Sequence, residues 1–288
     1  MFDIALATCA SLPELDSDNA LLIPALAERG LRARPVVWNA PEVDWSQPQM
    51  TVIRATWDYH HQRADFLTWA EHVASLNALW NPLDILRRNT HKFYLRDLEG
   101  QGILIVPTLW LEQGAQVNLA SLMMQHNWSR VILKPAVSAS AHATLLITSE
   151  CVEAGQAHLE QYLPGNDMLL QPFLSTVTSS RERSLIFIDG VFTHAIERAP
   201  ALNLDASAED RLITAQEDEL SLSQRLLTLL PTQPLYARVD LIHDEAGMLR
   251  LMELELVEPG LWLALAPHAV EHFADAIARK VKVGRRVL

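Results

Sequence analysis

The sequence predicts a mixed α/β (α+β) protein in three successive units, the first Rossmann-like, and three observations carry that prediction. Strand-like and helix-like segments alternate through the first third, the pattern of a parallel sheet with crossover helices. From about Trp80 this gives way to a smaller unit built on two apolar runs joined by a loop of small residues, "SRVILKPAVSASAHATLLIT". The last third is strand-rich and contains an acidic hairpin, "LYARVDLIHDEAGMLRLMELELVEPG". We place the units at residues 1–85, 86–170 and 171–288. No long linker parts them, so one three-part molecule is expected.

The elements follow in order. "FDIALATC" reads as a strand, and "DSDNALLIPALAERG" as a helix opened by Asp or Ser and closed by Gly30. "RARPVVWN" and "MTVIRATW" are two more strands. "RADFLTWAEHVASLN" sets Phe66, Trp69, Val73 and Leu76 on one helical face. "WNPLDILRRNTHKFYLRDLEGQGILIVPT" reads as a connector, one helix capped by Asn89 or Thr90 and ending near Gly100, and a strand stopped by Pro107. Two strands around "AVSASA", the helix "CVEAGQAHLEQYL" and the strand "DMLLQPFL" come next. Proline cannot donate to a central ladder, so that strand belongs at an edge or hinge. The paired strands of "RSLIFIDGVFTHAIER", the helix "EDELSLSQRLLTLL", the acidic hairpin and the helix "APHAVEHFADAIARKV" complete the chain.

Composition narrows the function. The 288 residues are 49% hydrophobic, enough for one large core or two to three small ones. A formal net charge of -12 argues against nucleic acid or an anionic membrane surface as partner. Two cysteines, Cys9 and Cys151, form no disulfide framework and point to a reducing compartment. The start "MFDIALATC" lacks the basic region of a signal peptide, and no apolar run approaches membrane-spanning length. A soluble, cytoplasmic protein is expected. GxGxxG, the P-loop, HExxH and GxSxG patterns are all absent from the sequence.

The acidic hairpin carries the first chemical signal. Residues two apart on a strand share a face, so Arg238 and Asp240 point one way and Ala237, Val239 and Leu241 the other. Across the turn "HDEAG", Glu253 and Glu255 join the polar face, with Leu254 and Leu256 opposite. A solvated sheet face is the competing reading. Like charges two apart repel unless a cation sits among them, and oxygen-only ligands of this kind suit Mg²⁺ completed by phosphate oxygens. Three further stretches suit a phosphate-bearing ligand. Lys134 ends an apolar strand before a loop whose small residues, with Ser138 and Ser140, let backbone amides approach an anion. An ordinary hairpin loop explains that stretch equally well. Lys92 stands at a helix start, where a bound phosphate would offset its unfavourable charge, although a surface lysine is the simpler reading in isolation. "LLQPFL" leaves backbone groups near Gln171 free for an adenine edge.

Taken together, these residues resemble the ATP-grasp ligases over roughly Arg54 to Gly260. That family's pattern is a lysine before a helix, a lysine ending a strand before a flexible loop, an adenine-holding hinge, an Arg-x-Asp strand and a Glu-x-Glu strand. Here these are Lys92, "LKPAVSASA", "QPFL", "ARVD" and "MELEL". "RATWDYH", "WNP" and "ELELVEP" resemble in particular a subgroup similar to the cyclo-ligase of cycloserine biosynthesis. The resemblance implies an ATP-grasp fold and ATP with Mg²⁺. Lys92 and Lys134 would hold phosphates; Gln171, Phe173 and Leu174 would line the adenine site, with Glu182 on the nucleotide side. Arg238 would stabilise the transferred phosphoryl group, and Asp240, Glu253 and Glu255 would ligate metal. Arg54, Arg183, His194 and Arg198 would face the acceptor.

What the resemblance implies chemically is an ATP-dependent carboxylate–amine ligase that forms an amide or ring C–N bond through an acyl phosphate. It would act on a small amino-acid-like substrate of specialised metabolism, with intramolecular cyclisation as one form of the reaction and a small carboxylate and an amine as partners. A homodimer through the first unit belongs to the same likeness. Three departures stand out: Arg181 replaces an expected glycine, the "SASAHA" loop is poor in glycine, and residues 201–220 lack the family's "FR…GG" stretch. The first and third favour one rival, a degenerate nucleotide-binding interaction protein. The other rival is a small-acid kinase that stops at phosphate transfer.

Overall fold

The computed structural model describes residues 2–139, 141–199 and 209–284. Its first sheet is parallel, in the order β2-β1-β3-β4, from β1 (Ile4–Thr8), β2 (Ala33–Val37), β3 (Met50–Ala55) and β4 (Ala78–Trp80). β1 and β3 are buried along their whole length, hence their nearly unbroken apolar runs. The Asp16 carboxylate accepts from the amides of Asp18 and Asn19 and opens the turn before α1 (Leu22–Glu28). Gly30, at φ +73°, ends that helix, and the Leu31 amide returns to the Leu26 carbonyl at 3.0 Å. In α2 (Arg63–Leu76), Phe66, Ala70 and Val73 turn inward, while Leu76, expected on that face, is 42% exposed at the helix end. β4, three residues long, is too short to show a period and is not anticipated by the sequence.

Two helices, α3 (Leu83–Asn89) and α4 (Tyr94–Gly100), occupy the stretch where one was expected. The following run, expected as a strand, makes only an isolated bridge from Ile105 to Leu251. The second sheet is antiparallel, β5-β8-β6-β7: β5 (Leu109–Leu111), β6 (Arg130–Pro135), β7 (Leu145–Thr148) and β8 (Met168–Pro172). α5 (Leu119–Gln125) and α6 (Val152–Tyr162) cover one face, packing on Val131, Leu133, Ile147 and Leu170. Gly155 lets α6 seat closely, because a Cβ there would stand 2.6 Å from Ile147 Cδ1. Of the edge or hinge expected for this strand, the edge is excluded because β8 is an interior strand; Pro172 is tolerated because it is the last residue, opposite Val131.

After the short α7 (Thr176–Ser179) comes the third sheet, β11-β10-β9-β12-β13. It is built from β9 (Arg183–Ile188), β10 (Val191–Glu197), β11 (Arg211–Ile213), β12 (Tyr236–His243) and β13 (Leu249–Glu255). α8 (Glu217–Thr228), α3 and α4 pack on the face formed by Leu185, Phe187, Ala237, Val239 and Leu254. Residues 85–105 therefore share the core of the third sheet, although they precede the second. α9 (Pro267–Gly284) lies on the other face with Ile186, Ile188 and Tyr236, and the same core takes in Leu22 and Leu26 of α1. The first and third sheets are thus joined through one apolar core.

Asn89 and Thr90 do not cap the start of α4, where Phe93 stands; Asn89 is the last residue of α3 and Thr90 closes that helix. The Asn89 amide donates to Leu254 O at 2.7 Å and accepts from Leu256 N at 2.8 Å, completing the free edge of β13. The Thr90 hydroxyl accepts from Arg63 Nε at 2.8 Å. A side-chain amide carries one donor group and one acceptor, so it substitutes for a neighbouring strand where buried edge groups would otherwise be unpaired. No described helix is long and apolar enough to cross a membrane.

Candidate active site

Strand periodicity assembles the site. On β6, Val131 and Leu133 enter the core of the second sheet while Ile132 and Lys134 face a cleft of about 490 Å³. On β12 and β13, Arg238 pairs with Glu255 and Asp240 with Glu253, so the four side chains meet across one register. A bulge beyond Asp240 then brings Met252 to the same cleft. One part of the lining is apolar, formed by Val106, Ile132, Phe173, Leu174 and Met252. The charged part holds Lys92, Lys134, Arg198 and Arg238 among the carboxylates.

Arg238 is the hub. Its Nε lies 2.9 Å from Asp240 Oδ1, its Nη2 lies 2.9 Å from Asp240 Oδ2, and Nη2 also donates to Glu255. Ser184, opposite on β9, donates to Asp240 Oδ1 at 2.6 Å. Lys134 Nζ stands 3.1 Å and Lys92 Nζ 3.3 Å from the same Glu253 oxygen, and Lys92 also donates to the Ser138 carbonyl at 3.2 Å. Arg198 pairs with Glu182 and comes within 3.6 Å of Asp240. The acidic face is therefore interleaved with the chain's own cations, contributed by other elements.

These pairings set the charges. Burial opposes ionisation of Glu253, but Lys92 and Lys134 outweigh it and hold this carboxyl well below its usual range. At Lys92 burial disfavours the ammonium, and Glu253 and Glu255 more than offset it. Glu255 is pushed up to about 7, first by burial, which Arg238 opposes, with Asp240 and Glu253 adding to the rise. Glu258 reaches about 8 through burial and the nearby Glu255. Such divergent shifts among clustered carboxyls are characteristic of functional sites.

The remaining predicted residues divide. Ser138 lines the cleft, and Ser140 lies outside the described residues. Gln171 lines it too, its amide donating to Thr108 Oγ1 at 2.9 Å, and Phe173 is covered by the Arg130 guanidinium at 3.9 Å. Glu182, Leu174 and Arg198 are lining residues. Arg54, Arg183 and His194, expected on the acceptor side, are not among the lining residues. Arg54 is fully buried, donating to Asn19 Oδ1 at 2.7 Å and Pro259 O at 2.8 Å over the Tyr236 ring. Arg183 points to the opposite face of β9 from Ser184 and pairs with the buried Glu219. The His194 Nε2 donates to Leu261 O at 2.8 Å, since a carbonyl can only accept. Arg181 takes the glycine-like φ of +57° and lies 3.6 Å from Glu197. Residues 200–208 of the departing segment lie outside the described ones.

Sequence reasoning passed over Glu258 and Trp262, both in the lining. Glu258 continues the acidic run of "ELELVE" and was legible there; Trp262, at φ +48° and 5.4 Å from Arg238, carries no local signal.

The carboxylates fit a hard dication. Oxygens of Asp240, Glu253 and Glu255 lie within 4.8 Å of one another, and Glu253 and Glu255 keep 20% and 29% of their side chains exposed to the cleft. Three sheets, two lysines and an Arg-x-Asp strand facing a Glu-x-Glu strand are the arrangement of the ATP-grasp fold, which this chain shares with solved ATP-grasp ligases. Within it, the similarity runs to the D-cycloserine synthetase DcsG. A family model described as the N-terminal domain of that synthetase matches residues 4–81. The cycloserine biosynthesis protein DcsG of Streptomyces lavendulae is 27% identical over 295 residues, covering 97% of this chain and 99% of the relative. The crystal structure of DcsG superposes with a TM-score of 0.89 at 26% identity, over 96% of this chain and 99% of that one. More distant likenesses show the fold alone. The ligase PsnB, solved with its minimal precursor, Mg and ADP, has a TM-score of 0.65 at 16% identity, over 97% and 98% of the two chains. D-alanine–D-alanine ligase from Bacillus anthracis, complexed with ATP, has a TM-score of 0.69 at 14% identity over both whole chains.

Proposed function

We propose that the protein joins a carboxylate to an amine at the expense of ATP, on a small amino-acid-like substrate of specialised metabolism. The observation that carries this is the convergence of Lys92, Lys134 and Arg238 with Asp240, Glu253 and Glu255 beside an apolar slot. The slot formed by Ile132, Phe173, Leu174 and Met252 suits a flat base, with Gln171 for its polar edge. Lys92 and Lys134 would hold the phosphates, exchanging Glu253 for phosphate oxygens. Asp240, Glu253 and Glu255 would hold Mg²⁺, which when bound neutralises charge on the phosphoryl oxygens. A substrate carboxylate oxygen attacks the γ-phosphorus, the bond to the β-phosphate oxygen breaks, and ADP leaves. The amine nitrogen then attacks the acyl carbon, phosphate departs, and the nitrogen proton passes to phosphate or solvent. The product is an amide or a ring C–N bond. Arg238, preorganised by Asp240, meets the developing oxyanion, and the loop after Lys134 shields the acyl phosphate from water. The name of the relative DcsG, a cycloserine biosynthesis protein, supports the biosynthetic reading. Two unpaired cysteines support a cytoplasmic setting.

The test is calorimetric titration with a non-hydrolysable ATP analogue, with and without Mg²⁺, followed by a screen of amino acids for ADP release. Magnesium-dependent binding and amine-dependent product formation are expected. Absence of binding in both titrations sinks the proposal, and ADP release with an acyl phosphate as the end product, from a substrate that carries no amine and with none added, would make the protein a kinase.

A further inference from the structure

We propose that His60, His61 and His142 form a binding site for a transition-metal dication of the Zn²⁺ class, clipping the loop after β6 to the first unit. His60 and His61 sit on the 3-10 turn Tyr59–His61, and His142 on the loop that links β6 to β7. Ring nitrogens of all three lie within 4.8 Å of one another, with ring centroids 3.9 Å apart for His60–His61 and 5.1 Å for either with His142.

The tautomer of His60 is decided by its surroundings. Its Nδ1 lies 3.0 Å from the Trp57 carbonyl, which can only accept, so Nδ1 carries the proton. Nε2 is left with its lone pair, buried and without a hydrogen-bond partner. A backbone carbonyl fixing one nitrogen while the other offers its lone pair is the usual arrangement of a metal-ligating histidine. A buried acceptor without a partner is otherwise a cost to the fold. Burial, with His61 and His142 adding, also lowers the His60 pKa to about 4, so the ring is in the neutral form that a metal requires.

Imidazole donors select Zn²⁺, Cu²⁺ or Ni²⁺ over Mg²⁺, which separates this site from the carboxylates of the cleft. At Zn–N bonds of about 2.0–2.1 Å, tetrahedral geometry sets nitrogens roughly 3.4 Å apart. The exposed His61 and His142 have the freedom to close that difference by side-chain rotation. Three protein ligands leave a fourth position for water or an incoming group. The loop bearing His142 also carries Ser138, Ala139 and Ala141 in the cleft lining, so a bound metal would hold it over the charged part of the cleft. The inference is independent of the ligase reading.

The test uses the full-length protein without an affinity tag, stripped with a chelator and titrated with Co²⁺ as a spectroscopic probe, then with Zn²⁺. One equivalent of Co²⁺ should give the visible bands of imidazole ligation, and Zn²⁺ should displace it. His142→Ala, on an exposed loop, should weaken binding at least about tenfold, the loss typical even of outer-shell partners. Glu253→Gln should leave it unchanged, and Zn²⁺ should slow protease cleavage of the loop in the parent but not in His142→Ala. Absence of the bands, their persistence in His142→Ala, or their loss in Glu253→Gln would overturn the proposal.

Discussion

Glu253 and Glu258 show how neighbouring carboxyls acquire opposite roles. Glu253 is ionised because two lysines share one of its oxygens, so its replacement removes a metal ligand without emptying a core. Glu253→Gln should keep the thermal transition and weaken Mg²⁺-dependent analogue binding tenfold or more, about 1.4 kcal/mol at least. Undiminished binding in calorimetry would remove Glu253 from the metal set. Glu258 is raised in the folded state from 4.5 to about 8, so the folded protein binds its proton more tightly than the unfolded chain does. That contribution is fully present below about pH 4.5 and is lost as pH rises through about 8. Denaturant unfolding of the metal-free protein should therefore show this component of stability falling across that window. Glu258→Gln should flatten the fall, and an unchanged slope would refute the assignment.

Asn89 connects two elements that are distant in the sequence. Its amide satisfies Leu254 O and Leu256 N on either side of Glu255, so it holds the outer edge of the metal-facing strand. Asn89→Ala leaves both groups unpaired at about 1–3 kcal/mol each, partly relieved if water enters. Chemical denaturation should register that loss, and analogue binding should weaken with it; a variant as stable as the parent would show that the edge needs no partner. The acidic hairpin was legible as an element because strand period and charge coincide in "ARVD" and "MELEL". The α3–α4 stretch was not: Asn89 and Thr90 carry the residue types of helix caps, yet tertiary partners claim both side chains. Likewise, the interior placement of β8 depends on β5, a strand of three residues with little signal of its own.

At the scale of the molecule, the cleft is a joint between the second and third sheets, with lining residues from both. A ligand that contacts Lys134 and Gln171 on one side and Arg238 and Glu253 on the other couples the two sheets. Mg²⁺ with the ATP analogue at a hundred times its Kd should raise stability by about 2.7 kcal/mol. It should also slow amide exchange in residues 136–139 and 141–144, read by mass spectrometry. Protection confined to the third sheet would show that the loop takes no part in binding.

Local chemistry determined much of this protein in advance. Alternation of strand and helix signals announced the parallel first sheet, and period-two placement put Arg238, Asp240, Glu253 and Glu255 on one face, because both depend on residues close in the chain. Tertiary structure decided the rest. Arg54, Arg183 and His194 have the chemistry of acceptor-binding residues, but long-range packing commits them to Pro259, Glu219 and Leu261. His60, His61 and His142 come together only when the loop after β6 folds over the first unit. The physical reason is the same in each case. A side chain's face is set by its own strand or helix, whereas its partner is set by which elements share a core, and that choice is made across distances no local pattern encodes.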